Sequence, residues 1–293
     1  MKQSNRLNSK HEKRLEEYRK LIEKELELAL YNADDSVVVK AMRYSTLDGG
    51  KRIRGALVLE FCKMFSKDYS KAITAGAAIE MIHAFSLIHD DLPCMDDDDV
   101  RRGKPSCHKQ FSEATALLAG DALLAVSFNT AAATAFLPSG SGGIDSKDAM
   151  KIVSTLSNAT MEMIKGQQLD MDYENTDNIS EEDIIEKLYI RKTGALISAA
   201  CVCGAICAGA SDKDVHASRN FGVALGLAFQ LTDDLLDYKT EKKDKKTYAT
   251  LFGEKKTKEK AWEYTEMAVK IAEKFPNSDF LKDLTITLNS RSK

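Results

Sequence analysis

The chain contains 293 residues, of which 43% are hydrophobic and 30% are charged. This length and balance exclude a disordered chain, a collagen-like repeat and a small scaffold held together by disulfides. The net charge of −3 and the pI of about 6.0 argue against a general affinity for nucleic acid.

Helical periodicity runs through the whole chain, and no segment shows the sustained alternation of a half-buried strand. The first predicted helix carries an apolar stripe on an otherwise charged surface, formed by Leu15, Tyr18, Ile22 and Leu26. Further helices are predicted over residues 51–65, 71–91, 112–136, 147–173, 180–210 (with an interruption), 212–238 and 256–274.

Loops separate these helices, but no linker divides the chain by composition. The Gly- and Ser-rich residues 137–143 indicate a flexible loop, and Ser180 with Asp183 indicates a helix start. We therefore predict one domain over residues 1–293, an all-α single large helical bundle. Residues 114–136 and 193–211 are apolar nearly all round, which predicts central helices surrounded by other helices.

The cysteines and the N-terminal segment bear on the cellular compartment. No CxxC pair is present, and Cys201, Cys203 and Cys207 lie in an apolar run typical of buried thiols. Residues 193–211 are uncharged over nearly the length of a membrane span, but small residues dominate them and favour close helix packing. The first twenty residues are too polar for a signal peptide. We expect a cytoplasmic protein without stable membrane insertion.

A first acidic cluster follows an apolar helix. Pro93 should end that helix, which places Asp90 and Asp91 in its last turn, where the helix dipole disfavours carboxylates. Asp96 returns from the turn beyond. The next three residues, 97–99, are interpreted as a solvated acidic run.

A second acidic cluster lies inside another apolar helix. Asp233 and Asp237 are four residues apart and share a helical face, with Asp234 beside them. Two unit charges 4 Å apart repel by about 4 kcal/mol at an effective dielectric of 20, so each cluster needs a compensating cation. Oxygen-only ligands suit Mg²⁺. An EF-hand is excluded, because the twelfth position counted from Asp97 is His108 rather than Glu.

Basic groups flank these clusters. The glycines of residues 49–54 open a predicted helix whose N-terminus favours anions, with Lys51 and Arg54 on one face. Residues 101–104 add two arginines and a lysine directly after the first cluster, and Lys192 stands at the edge of an uncharged helix. Together with two metal-type clusters, this pattern indicates a site for diphosphates.

A di-iron centre is the competing interpretation. Glu80 and His83 form a Glu-x-x-His motif, which di-iron bundles require in two copies. The sequence contains no second copy, so we reject this alternative.

The segments GGKRIR, IHDDLPCMDDDDVRRGKPSCH, GQQLD, RKTGAL and FQLTDDLLDY together resemble the trans-isoprenyl diphosphate synthases, in the order of that family and over nearly the whole chain. The resemblance implies an all-α bundle, usually a homodimer. It further implies a prenyltransferase that joins isopentenyl diphosphate head-to-tail to an allylic diphosphate and releases pyrophosphate. Three Mg²⁺ ions would hold the allylic diphosphate between the aspartate clusters.

The resemblance also assigns roles by motif position. The expected direct metal ligands are Asp90, Asp96 and Asp233, supported by Asp91, Asp234 and Asp237. The residues expected to grip the allylic diphosphate are Arg101, Lys192 and Lys245. Those expected to hold isopentenyl diphosphate are Lys51, Arg54, His83 and Arg102. The polar residues expected along the reaction cleft are Gln167, Thr193 and Gln230, and the catalytic candidates are Lys192, Thr193 and Gln230.

Product length should be set below the first cluster. Phe85 and Ser86 precede Asp90 by five and four residues, which puts Phe85 about 7 Å deeper along the helix. An aromatic residue there, together with the inserted Pro93-Cys94, resembles bacterial farnesyl diphosphate synthases. Geranylgeranyl or geranyl diphosphate synthesis stays open as the alternative.

The sequence departs from the family after the second cluster. The usual Gly-Lys-x-x-Gly-x-Asp stretch is absent, so either the lid is shorter or a loop is missing from the sequence. Two further alternatives are a non-catalytic partner subunit and a terpene cyclase of the same fold. The first should have lost aspartates from one cluster, and the second needs only one diphosphate site. Both clusters and the GGKRIR segment argue against them.

Overall fold

The computed structural model describes residues 7–31, 35–47, 49–137, 142–238 and 245–291. In these ranges the chain is almost entirely helical, which confirms the predicted fold class. The helices are α1 (Ser9–Tyr31), α2 (Val37–Leu47), α3 (Ile53–Phe65), α4 (Ile73–Asp90), α5 (Cys107–Gln110), α6 (Glu113–Ala133), α7 (Ser146–Glu174), α8 (Ala195–Cys207), α9 (Asp212–Asp237), α10 (Tyr248–Phe252), α11 (Glu254–Ala272) and α12 (Asp279–Asn289).

Three smaller elements complete the described chain. A 3₁₀ turn, Ser70–Ala72, precedes α4, and a π-helical segment, Asp183–Gly194, leads directly into α8. The strands β1 (Val100–Arg101) and β2 (Lys104–Pro105) form a two-residue antiparallel hairpin after the first acidic cluster. Sequence patterns predicted neither the strands nor the short helices α2, α5, α10 and α12, because each is too brief to show a clear period.

Helix α8 is the centre of the bundle. It packs against α3, α7 and α9, and all but its first residue are buried. Its three cysteines are buried free thiols, as predicted. Gly204 allows the close approach to α3, since a Cβ atom there would lie 2.3 Å from the carbonyl oxygen of Val58. The prediction of a central buried helix over this stretch is therefore confirmed.

Helix α6 corrects the second half of that prediction. Residues 114–136 were expected to be surrounded, yet Leu117 and Leu118 are 47% and 53% exposed and Phe136 is 87% exposed. One face of α6 packs on α4, and the opposite apolar face is open. An apolar face need not be covered within one chain, and this is the physical reason for the error.

The start of α3 corrects the predicted placement of Lys51. The helix begins at Ile53 rather than at residue 51, and Arg52 occupies its N-cap in the left-handed region at φ 50°. Lys51 therefore lies in the preceding turn and does not share a helical face with Arg54. The prediction failed because Arg52 adopts a backbone conformation that the sequence pattern does not indicate.

The predicted helix start at Ser180 is confirmed, whereas the two predicted loop segments lie largely outside the described residues. Ser180 and Asp183 exchange side-chain to backbone hydrogen bonds of 3.1 Å each, which confirms the helix start at that point. Most of the predicted loop at 137–143 lies outside the described residues, as do residues 239–244 of the shortened segment after α9.

Three helical stretches have the length and apolar composition of a membrane span, namely Ser70–Asp90, Glu113–Ala133 and Asp183–Cys207. Two of them are mostly buried inside the bundle, whereas the stretch in α6 is mostly open. This difference again separates α6 from the central helices.

Candidate active site

Two of the six predicted metal-binding aspartates, Asp90 and Asp233, meet predicted polar residues around one cavity of 530 Å³, named the aspartate cavity. It lies between α4, α7, the π-helical segment and α9. Of the predicted site residues, its lining contains Arg54, His83, Phe85, Ser86, Asp90, Gln167, Lys192, Thr193, Gln230 and Asp233. The structure thus places the 90 and 233 regions, which are far apart in sequence, on one shared space.

The first cluster is built by a helix end. Helix α4 stops at Asp90, and the turn after Pro93 returns so that the backbone N–H of Asp96 donates to the carbonyl oxygen of Asp90 at 2.9 Å. Burial raises the pKa of Asp90 to about 6, against the lowering effect of Lys192. Burial therefore destabilises the deprotonated form of Asp90, and a bound cation would stabilise it.

Asp91 points away from the cavity and is paired. Its carboxylate is almost fully buried and accepts hydrogen bonds from the guanidinium of Arg101, which also contacts Asp98 at 3.1 Å. The hairpin of β1 and β2 carries Arg101 back to this position. Arg101 and Asp91 are thus brought together, and their pair fixes the loop that follows the first cluster.

The second cluster presents Asp233 to the same cavity. Burial raises the pKa of Asp233 to about 6, although Arg291 opposes this shift. The Arg291 guanidinium donates to Asp233 and stacks 4.2 Å from the centre of the Phe229 ring. One carboxylate of the second cluster is therefore already paired with a cation from the chain itself.

Asp234 is held by neutral donors. Its carboxylate accepts from the Tyr189 hydroxyl at 2.5 Å, from the Gln230 amide at 3.1 Å and from the Tyr248 backbone N–H at 3.2 Å. The Thr193 hydroxyl in turn donates to Gln230 at 2.6 Å. This network positions Thr193 and Gln230 and joins the π-helical segment to α9 and α10.

Lys192 reaches the cavity from the π-helical segment. Gly166 of α7 lies against its backbone, since a Cβ atom at residue 166 would be 2.4 Å from the backbone nitrogen of Lys192. The ammonium group donates to Asp170. Burial lowers the pKa of Lys192, but Asp170 and Asp90 outweigh it and raise the pKa above its usual value. Lys192 is therefore a partly buried, charged group.

A smaller pocket of 110 Å³, named the lysine pocket, continues beyond Lys192. Besides residues that also line the aspartate cavity, it collects three further predicted residues, Asp234, Asp237 and Lys245, together with Asp170. Both acidic and basic groups thus converge where the second cluster ends.

A second cavity of 530 Å³, named the basic cavity, adjoins the first. The predicted site residues that line it are Lys51, Arg54, His83 and Arg102. Burial, with Arg54 and Arg102 nearby, holds the pKa of His83 well below its usual value, so the imidazole is neutral. Arg54, His83 and Phe229 line both cavities, which are therefore neighbours sharing one wall.

Unsatisfied donors point to ligands in these cavities. The Nε atoms of Arg54 and Arg291 and the Nε2 atom of Gln167 are buried without a hydrogen-bond partner. Buried donors are normally paired, and each of these residues lines one of the two cavities. Oxygen-rich anions would satisfy them.

Glu80, the acidic residue of the Glu-x-x-His motif, packs against the start of α3. Glu80 accepts from the Gly55 backbone N–H at 2.9 Å and lies 3.8 Å from Arg52. Arg52 also donates to the Thr46 carbonyl at 2.6 Å. The carboxylate of Glu80 thus secures the start of α3.

Sequence reasoning missed several contributors to the site. Asp170 closes the GQQLD segment and could have been found there as a partner for a buried lysine. Arg291 and Tyr189 belong to no recognised motif, and only the fold brings them to the aspartates. Phe229 opens the FQLTDDLLDY segment but was given no role.

The lining of the aspartate cavity includes an aromatic side chain, Phe85. Phe85 is 5% exposed and packs edge-on against the His89 ring, with centroids 4.9 Å apart. The His89 imidazole contacts the Leu117 carbonyl at 3.1 Å. Met163 and Ile164 of α7 add apolar surface to the same cavity. The lower part of the cavity therefore suits a hydrocarbon chain.

Comparison with known proteins places this geometry among characterised chains. A polyprenyl synthetase family model matches residues 35–257. The farnesyl diphosphate synthase of Bacillus subtilis is 40% identical over 255 residues, covering 82% of this chain and 83% of that protein. The large subunit 1 of the heterodimeric geranylgeranyl pyrophosphate synthase of Arabidopsis thaliana is also 40% identical, covering 82% and 67%. The crystal structure of an FPP/GFPP synthase from Zymomonas mobilis superposes with a TM-score of 0.85 at 32% identity, covering 94% and 97%.

Proposed function

Because the chain belongs to the polyprenyl synthetase family and is a prenyltransferase, we propose that it condenses isopentenyl diphosphate with dimethylallyl and geranyl diphosphates. We propose farnesyl diphosphate as the product. The observation that carries this proposal is the shared wall of the two cavities, one lined by aspartates and the other by basic residues. Because the two cavities share lining residues, an allylic diphosphate in one would lie beside isopentenyl diphosphate in the other, so that the allylic carbon and the isopentenyl double bond can meet.

The donor set of the aspartate cavity fits Mg²⁺. Asp90 and Asp233 are partly buried carboxylates with raised pKa values, and both are oxygen ligands of the kind that Mg²⁺ prefers. Asp96 and Asp237 would complete the two clusters, with three ions per site. Asp91 and Asp234 would hold the ligands in place through their own partners. When bound, Mg²⁺ neutralises the charge of a leaving pyrophosphate.

The chain's own residues divide the remaining work. Lys192, kept charged by Asp170, and Lys245 supply cations to the allylic diphosphate, while Arg101 fixes the adjacent loop. Lys51, Arg54 and Arg102 offer a cationic site to isopentenyl diphosphate, with neutral His83 as a hydrogen-bonding group.

Thr193 and Gln230 lie between the two diphosphate sites. Their dipoles are locked by the network around Asp234, so they are oriented before any substrate arrives. The apolar lining of the cavity excludes water from an allylic cation, and a departing pyrophosphate is the base that takes up the released proton.

Product length follows from Phe85. An aromatic side chain at the floor limits the growing hydrocarbon, which supports farnesyl diphosphate. The Bacillus subtilis relative carries a farnesyl name, whereas the Arabidopsis relative of equal identity carries a geranylgeranyl name. Geranylgeranyl diphosphate is therefore the second candidate product.

We propose a homodimer formed through α6 and α7. These two helices pack against each other and expose the apolar side chains Leu117, Leu118 and Met161. A patch of this kind on two adjacent helices is typical of a protein interface. Sedimentation at several protein concentrations tests it, and a Leu118→Glu variant should sediment as a monomer.

The decisive experiment incubates the purified protein with Mg²⁺, labelled isopentenyl diphosphate and dimethylallyl diphosphate. The alcohols released by phosphatase are then separated by chain length. A C15 alcohol supports the full proposal, and a C20 alcohol supports the second candidate. Absence of any elongated product would favour the partner-subunit alternative, and a cyclic hydrocarbon from farnesyl diphosphate alone would favour a cyclase.

A further inference from the structure

The loop between the first acidic cluster and α6 folds back on itself outside the aspartate cavity. The hairpin of β1 and β2 reverses the chain, and the backbone N–H of Ser106 donates to the Asp99 carbonyl at 2.9 Å. This reversal brings the start of α5 beside the acidic run at residues 97–99. None of those three aspartates lines the aspartate cavity.

Three side chains converge where the loop closes. Asp97, Asp99 and His108 each offer one ligand atom, and these atoms all lie within 4.8 Å of one another. The His108 Nε2 atom is 4.0 Å from the Asp97 carboxylate. The first and twelfth positions that an EF-hand would use are thus adjacent in space, although their chemistry is different.

His108 supplies an independent sign of a missing ligand. Its side chain is only 3% exposed, yet its Nε2 atom is buried without a hydrogen-bond partner. The other ring nitrogen, Nδ1, lies 3.1 Å from the Ser106 hydroxyl. If Nδ1 carries the proton and donates to Ser106, the lone pair of Nε2 is free on the side of the carboxylates, and a cation bound there would satisfy all three groups.

We propose that Asp97, Asp99 and His108 form a second metal site, selective for Zn²⁺ over Mg²⁺. An imidazole nitrogen with two carboxylates suits Zn²⁺, whereas Mg²⁺ prefers oxygen ligands alone. Zinc ligands about 2 Å from the ion are separated by about 3.5 Å, slightly less than the spacing here. Asp97 and Asp99 are exposed, so their side chains are free to rotate inward.

Lys109 is the competitor for this site. Its ammonium lies 2.8 Å from the Asp99 carboxylate, and its side chain is 44% exposed. A divalent ion outcompetes a single ammonium at two carboxylates, and Lys109 moves to solvent when the ion binds. A bound ion would tie α5 to the loop that carries Arg101, and would thereby stiffen one edge of the active site.

The test measures Zn²⁺ binding by calorimetry on the full chain in saturating Mg²⁺, which occupies the oxygen-only clusters. We expect one Zn²⁺ per chain. His108→Ala should weaken binding at least about ten-fold, as should the double variant Asp97→Asn with Asp99→Asn. The double variant alters exposed side chains only, so it decides the matter if His108→Ala fails to fold.

His11→Ala is the matched control, because His11 also contacts an aspartate, Asp283, at 2.5 Å but belongs to no three-ligand cluster among the described residues. It should bind Zn²⁺ as the parent does. The proposal is overturned if the parent binds no Zn²⁺ in Mg²⁺, or if the folded site variants stay within a factor of about ten of its affinity. It is also overturned if the control loses binding equally. Catalysis is not measured, so failure here is distinct from failure of the proposed function.

Discussion

The first aspartate cluster ends a helix, whereas the second lies inside one. In both, one aspartate faces the cavity with a pKa raised to about 6, and its neighbour is buried and paired elsewhere. The pairing differs: Asp91 has a charged partner, Arg101, while Asp234 has neutral donors. The neighbour of the cavity-facing aspartate is thus held by an ion pair with Arg101 in the first cluster, and accepts hydrogen bonds from Tyr189 and Gln230 in the second.

The cavity-facing members of both clusters should be equally indispensable. Asp90→Asn and Asp233→Asn should each lower kcat at least about a hundred-fold, because Mg²⁺ stabilisation is worth several kcal/mol. Product formation from labelled isopentenyl diphosphate measures the effect. Asp279→Asn, an exposed aspartate on α12, is the control. More than a tenth of parental activity in either variant would show that the clusters are not equivalent.

The aromatic residues below the clusters should differ in function. Phe85→Ala should lengthen the main product beyond C15, because it removes the floor of the aspartate cavity. Phe229 lies four residues before Asp233 and lines the wall shared with the basic cavity. Phe229→Ala should therefore raise the KM for isopentenyl diphosphate without lengthening the product. Chromatography of the products and initial rates test both. Unchanged product from Phe85→Ala would remove Phe85 as the floor.

The two buried aspartates, Asp91 and Asp234, should differ in their contribution to stability. Asp91→Asn leaves the Arg101 charge without its main partner and should lower the free energy of unfolding by about 2 kcal/mol. Asp234→Asn keeps a carbonyl acceptor for Tyr189 and should cost less than about 1 kcal/mol. Urea denaturation measures the two values. The reverse order would mean that the dipole network is the stronger support.

The smallest expected effect is on the pH dependence of Mg²⁺ stabilisation. Asp90 and Asp233 have folded pKa values of about 6, above the unfolded value of about 4. The folded chain therefore binds more protons, so these groups lower stability above about pH 6 and cease to do so below about pH 4.

Mg²⁺ should accordingly raise the melting temperature by about 5 °C at pH 7.5, when present at about a hundred times its Kd. At pH 5, where protons compete for the same oxygens, the rise should nearly vanish. Differential scanning calorimetry with and without Mg²⁺ measures both shifts. An equal rise at the two pH values would place the metal on other groups.

Much of the fold could be predicted, because long helices reveal their period. Helices α4, α7 and α9 extend within a few residues of the predicted ranges. The short helices could not be predicted, since fewer than about three turns give no distinct period. Nor could the open face of α6, because apolar composition does not say which surface covers it.

The site residues likewise divide into those that the sequence could predict and those that it could not. Asp90 and Asp233 could be predicted from the cost of placing carboxylates in apolar helices. Arg291 could not, because its contact with Asp233 joins the end of the chain to α9 through tertiary packing alone. The position of Lys51 before α3 could not be predicted either, because it depends on the left-handed backbone conformation of Arg52, which no sequence pattern indicates.

The contact of Gly166 with the backbone of Lys192 has a practical consequence. A single added methyl group would shift the lysine's whole segment while leaving every charge in place. Gly166→Ala consequently separates where that ammonium sits from the fact that it is positive. The position of the Lys192 ammonium is thus set by a neighbour that has no side chain.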